Sequence, residues 1–458
     1  MSNFWFSLLL FTVMLTASLP ANGQRVFSAV EEPVFSSGQD SLRFAQVNLA
    51  IRKAMEQRTT FPDSLMEEFR ALRNRIVGYK RHYTPTAGFI TLDSLKKMPD
   101  KSQVKSLSIS TQKSRKLPAE VYACTNLQEL ELVHTRIKKV QRLDRLKSLG
   151  ALYILNNKAN GKFSLSKTKT VRTLVMRGDT PTLPRSFSPL VALERADLAA
   201  NQLTTFPTGL SNNKNLKQLI LSNNAIVELN IPVLPALEKL ELVRNRIEII
   251  PESIGNLGNL KQLTLNHNNI KLVSPALGKL VRLEQLSFYQ NKLTTMPDGI
   301  YNLPALREVD LYHNEIERLD DRIGNLKRLE LLYLSYNKLI SIPEAVGNLT
   351  ALTQLYLSDN RLVELPPALS ALAKLKVMRV NNNRLFNSPT WLSGLTELEN
   401  VDLSSNQLHE LPEGLEYLSA LKILALINNP WDEPSRDRLT KLAHYLRSKG
   451  VVVHIEEE

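Results

Sequence analysis

Three histidines, His134, His267 and His313, occupy equivalent positions of a pattern that recurs along the chain. Histidines at a regular spacing could ligate a metal or carry protons. These three sit at least two recurrences apart. If each recurrence adds one strand at about 4.8 Å, even His267 and His313 stand about 10 Å from each other. Zinc holds nitrogen ligands at about 2 Å, so no two of them can share one ion. Asp310, His313 and Ser335 could be drawn as an acid, base and nucleophile. Nothing in the sequence supplies an oxyanion hole or a closed pocket beside them, so the chain reads as non-enzymatic, with no cofactor and no metal. The single cysteine, Cys124, excludes an intramolecular disulfide and any multi-cysteine metal site. It stands three residues before Leu127, as Leu257 stands before Leu260 and Leu349 before Leu352, which makes it an inward position. A buried thiol without a charged partner stays protonated.

Recognition chemistry is better represented. Tyr289, Tyr312, Tyr333, Tyr336 and Tyr356 come from four consecutive recurrences. Asp310 and His313 lie beside them, and Arg379 and Asp402 continue the same strip. Tyrosine combines a rigid face with a hydroxyl, a combination favoured in binding patches. The plainer reading is that these rings pack on one another across a sheet.

The element that must position them is plainest at 329–352, LELLYLSYNKLISIPEAVGNLTAL. Leu332 and Leu334 are two apart and share one face of a strand, so Tyr333 points the other way. Asn337 ends the strand, where its amide can bond the backbone of a turn. Pro343 opens a tight helical turn that returns Val346 and Leu349 inside. The asparagine slot holds Asn157, Asn201, Asn224 and Asn245, then recurs every 23 residues to Asn429, twelve times in all. Gln112, Thr135 and Asp179 fill it in three further units, giving fifteen between 104 and 431. One unit cannot bury its apolar set alone, but stacked units can.

The pattern LxxLxLxxNxL followed by xx(L/I)PxxIGNLxxL, as in IPESIGNLGNL at 250–260 and IPEAVGNLTAL at 342–352, resembles the leucine-rich repeat. Within it, the stretch is similar to a subgroup of bacterial repeat proteins and plant intracellular Ras-group-related proteins. The resemblance implies an α/β solenoid, a horseshoe with a parallel β-sheet on its concave side and short helical turns on its convex side. It implies a ligand held on the concave face and says little of its identity, because the motif residues are the scaffold.

The flanks are expected to be different. The run FWFSLLLFTVML at 4–15, with small residues after it, reads as a signal peptide ending near Gly23, hence a secreted, periplasmic or cell-surface protein. Its length falls short of the roughly 20 residues of a spanning helix. In 24–103, Phe44, Val47, Ile51 and Met55, then Leu65, Phe69, Leu72 and Ile76, follow helical spacing. They predict two amphipathic helices capping the open end of the stack. Residues 84–88, TPTAG, read as a break and 89–92 as a short strand. Residues 432–458 predict a closing helix and strand.

Charge is uneven. Of a net +13, residues 1–190 hold 30 Lys plus Arg against 14 Asp plus Glu, and the remainder holds 28 against 31. Arg136, Lys138, Lys139, Arg142, Arg145 and Lys147 fall in returning segments, away from the concave sheet. Two functions are therefore expected to compete. One is an exported module binding a protein, peptide or glycan on its concave face. The other is a structural envelope component that attaches to an anionic polymer or membrane surface through this basic half. Nucleic acid is not expected, since no stacking aromatics are interleaved with the lysines. A monomer is expected.

Overall fold

The computed structural model describes residues 29–35, 76–111, 113–157, 163–178 and 183–456 (185 apart), with scattered positions from 37 to 72. The apolar run 4–15 and Gly23 lie outside the described residues, as do Gln112 and Asp179.

Parallel pairing follows from the repeat. Leu332 and Leu334 are fully buried while Tyr333 between them is half-buried. The strand Leu331–Tyr333 pairs in register with Glu308–Asp310 on one side and Gln354–Tyr356 on the other. Fifteen such parallel strands run from Ser106–Ser110 to Ile423–Ala425 among the described residues. Ile90–Thr91 joins the first and Val452–His454 the last. Behind the sheet lies one continuous core of Leu, Ile and Val, into which Cys124 is fully buried.

The asparagines join successive coils. The Asn337 side-chain amide donates to the carbonyls of Leu334 at 2.9 Å and, one coil back, Leu311 at 2.9 Å. Its oxygen accepts from the Ile316 N–H at 2.9 Å. Buried backbone groups at the turn are thereby satisfied. The residue just before the asparagine takes a left-handed backbone, as at His267 (φ 56), His313 (φ 60), Tyr336 (φ 57) and Asp359 (φ 56). The chain then returns through a 3-10 turn such as Glu344–Asn348, led by Pro343. Here Gly347 is required by close approach. A Cβ on it would lie 2.4 Å from the Ala368 carbonyl oxygen.

At the C-terminus, the helix Glu433–Ser448 is capped by Asp432 and buries Leu439, Ala443 and Leu446 against the last coil. At the other end, Leu92–Lys97 covers the stack with the fully buried Leu95. Upstream of it the chain differs from expectation. Val47 and Leu72 are helical and buried, but Ile76 begins a strand, Ile76–Tyr83, antiparallel to Ala29–Phe35. Ile51, Met55, Leu65 and Phe69 lie outside the described residues. No helix among the described residues is long and apolar enough to cross a membrane.

Candidate recognition surface

The outward side chains of the parallel strands form columns, because the pairing has no register slip. One column runs Ser287, Asp310, Tyr333, Tyr356, Arg379, Asp402. Tyr289 and Tyr312 sit two residues further along their coils, and His313 and Tyr336 take the left-handed position.

The tyrosines foreseen as one patch fall into two rows. In one, Tyr333 stacks on Tyr356 with ring centroids 4.8 Å apart. In the other, His267 meets Tyr289 edge-on at 5.0 Å, Tyr289 meets Tyr312 at 5.3 Å, and Tyr312 meets Tyr336 at 5.0 Å. His313 stacks on Tyr336 at 5.8 Å. Tyr336 is 45% exposed, the most open of these tyrosines. Its hydroxyl lies near the Tyr312 hydroxyl and the Asp359 carboxylate, both of which act on its titration. Asp359 also accepts from the Asn382 amide at 3.0 Å. Asp359 and Asn382 were not foreseen. Their place beside the asparagine, where polar residues are common in turns, hid them.

Burial in the hollow shapes the electrostatics. Partial burial pushes the Tyr333 phenol up to about 12 and raises those of Tyr312, Tyr336 and Tyr356. It also raises the Asp310 carboxyl, although Ser287 Oγ donates to it at 2.7 Å and the Tyr312 N–H at 3.0 Å. Asp359 is raised by burial as well. Arg379 stands between Tyr356 and Asp402, and its Nε is buried with no hydrogen-bond partner.

The first coils present a different concave face. Tyr83 is 3% exposed and packs with Val133, Tyr153, Leu155 and Val175. Its carbonyl meets His134 Nε2 at 2.9 Å. Thr86 donates from its N–H at 3.1 Å and its hydroxyl at 2.6 Å to the buried Glu131, which also accepts from Ser108 Oγ at 2.7 Å. The 84–88 break is thus a strap lying on the sheet. Next along the face, Asp197 is held by Arg177 at 2.6 Å. The concave surface left open therefore lies toward the C-terminal coils.

The basic residues Arg136, Lys139, Arg142, Arg145 and Lys147 are exposed and Lys138 half-buried, on the returning segments Lys139–Val140 and Leu143–Arg145 and around them. His134, His267 and His313 each find their own local partners. No group of three or more His, Cys, Asp or Glu that could hold a metal occurs among the described residues. Burial pushes the Cys124 thiol up, so it is a core side chain.

Residues 236–257 match the leucine rich repeat, 259–316 match it again, and 317–452 match the leucine-rich repeat region. No curated protein matches the chain significantly. Among solved structures, an LRR protein of Leptospira interrogans is 26% identical, with 79% of this chain and 97% of that one covered and a TM-score of 0.53. An internalin from Listeria monocytogenes shares the fold at 22% identity, with 72% and 87% covered and a TM-score of 0.52. The chain PEPR1, in its complex with AtPEP1, is 25% identical, with 77% of this chain and 53% of that one covered and a TM-score of 0.52.

Proposed function

We propose that this leucine-rich-repeat solenoid is an exported, non-catalytic recognition module that binds a protein, peptide or glycan on the C-terminal half of its concave face. The observation that carries the reading is the pair of aromatic rows built from five tyrosines and two histidines on five adjacent coils. In each coil the inward residues are taken by the core, so the outward ones are free to vary with a ligand. Tyrosines on a rigid sheet lose little entropy on binding. The apolar run 4–15 supports export. A complex between a similar solenoid, PEPR1, and AtPEP1 is compatible with a ligand here. The IGNL coils favour the bacterial and plant Ras-group-related subgroup.

A second reading is favoured by the basic cluster, since Arg136, Lys138, Lys139, Arg142, Arg145 and Lys147 enter no ion pair among the described residues. It makes the protein an envelope component held on an anionic polymer or membrane surface. Photo-crosslinkers separate the two. One is placed at Ser358, two residues beyond Tyr356 and in the column of Tyr289 and Tyr312, and one at Lys147, each in the full chain exposed to its native envelope. The concave reading expects a defined adduct from Ser358 alone. Adducts from Lys147 alone support the basic cluster and overturn the concave reading.

A further inference from the structure

The concave face of the C-terminal coils carries a charge imbalance that the rest of the sheet does not. From Gln262 to Ser405, its outward positions hold Glu308, Asp310, Asp359 and Asp402 against Arg379 alone. None of these four carboxylates is in an ion pair among the described residues. Each is held by neutral donors instead. Glu308 accepts from Gln285 at 3.0 Å, Asp310 from Ser287, Asp359 from Asn382 and Asp402 from the Ser404 N–H at 3.0 Å. Several acids elsewhere on the solenoid are matched, whereas Glu131 is held by neutral donors under the strap. Asp197, in the same column, has Arg177, and on the flank Glu238 has Lys261 and Glu399 has Lys422.

Neutral donors soften a buried negative charge but do not cancel it, and an uncompensated carboxylate in a half-dry hollow is unfavourable. Asp310 and Asp359 both show this strain in their raised proton affinity. The same hollow is lined by tyrosine rings, whose faces attract cations. Asp310 stands beside Tyr333 in its column, and Asp359 lies near the Tyr336 hydroxyl. Carboxylate and aromatic face together form a site suited to a positive group.

We propose that the ligand of this surface presents lysine or arginine side chains from an extended peptide segment, which lie over Tyr312, Tyr333 and Tyr336 and pair with Asp310 and Asp359. The proposal rests on the concave reading above and adds the ligand's charge and class. An extended segment suits the geometry, since successive coils are about 4.8 Å apart and alternate peptide side chains recur about every 7 Å. The basic excess of the chain does not oppose it, because residues 191–458 hold 28 basic and 31 acidic residues.

The test uses the full-length protein and fluorescein-labelled hexapeptides of alternating glycine with lysine, glutamate or serine, read by fluorescence anisotropy at low salt. A cello-hexaose competitor is included. Wild type is expected to bind the lysine peptide at least about tenfold more tightly than the other two. Asp310→Asn with Asp359→Asn keeps the shape and removes the charge, and it should abolish that preference. Tyr312→Ala with Tyr333→Ala should weaken all binding. If the tyrosine variant loses binding while lysine and glutamate peptides bind wild type alike, the concave reading stands and the cationic ligand is overturned. Lysine-peptide binding that every variant retains, or no lysine-peptide binding at all, also overturns it. Displacement by cello-hexaose with indifference to the aspartates assigns the surface to a glycan instead.

Discussion

Asn337 shows what single residues contribute. Its amide closes three contacts that the turn would otherwise leave open. Asn337→Ala should destabilise by about 1–3 kcal/mol, the cost of leaving buried backbone groups unpaired, as read from denaturant melts. Melting identical to wild type would contradict the register. The asparagine slot was legible because its spacing is fixed. The left-handed residue before it was less so, because Ala, Arg, Gln, Ser and Tyr occupy it as well as the Asn, His and Asp that favour that conformation. Tyrosine in that conformation is uncommon and strained. Tyr336→Asn should therefore hold or raise stability, by up to about 1 kcal/mol, while weakening ligand binding. A clear loss of stability would show that the ring contacts outweigh the strain.

Asp310 gives a pH dependence with a definite sign. Its carboxyl is raised in the folded state by burial. The native protein thus holds the proton more tightly than the unfolded chain, and ionisation as pH rises removes stability. Asp310→Asn should be more stable than wild type at about pH 7, with the advantage shrinking on acidification toward about pH 3, below the ordinary carboxylate range. Melting curves across that window decide it. A gain that grows on acidification would contradict the sign.

At the scale of elements, the repeat was readable because core burial, strand alternation and turn chemistry all point the same way in each coil. The glycine of IGNL is part of that agreement. Gly347→Ala would drive a methyl into Ala368 of the next coil, so it should destabilise by about 1–3 kcal/mol. An unchanged melting point would mean that the coils can separate there at little cost. The N-terminal segment was less legible. Leu65, Phe69, Leu72 and Ile76 keep a helical spacing, yet 76–83 is rich in β-branched and aromatic residues, IVGYKRHY, and forms a strand. The strap it feeds depends on contacts more than forty residues away, such as Thr86 with Glu131, and no local pattern reports those. Tyr83→Ala should uncover Val133, Leu155 and Val175, speed amide exchange in Glu129–Val133 and raise binding of an apolar dye. Unaltered exchange would mean that the strap is not held by this ring.

The whole molecule divides along its length. Its first coils are basic outside and occupied by the strap inside, and its later coils leave an acidic, aromatic hollow open. The location of the hollow was legible, since outward tyrosines could be counted from the sequence. Its division into two rows was not, because the rows depend on which of two outward columns each ring takes. The uncompensated carboxylates were equally hidden, since pairing across coils is set by side-chain reach. The most direct test is the affinity of Tyr312→Ala with Tyr333→Ala, set beside charge reversal at Lys138, Lys139 and Arg142, for a partner purified on wild type. Interface energy concentrates in a few aromatic residues, so each tyrosine should be worth on the order of 2 kcal/mol. The account predicts that the folded tyrosine variant loses the partner and the charge-reversed protein keeps it. Unchanged binding by the tyrosine variant, with loss on charge reversal, would contradict it.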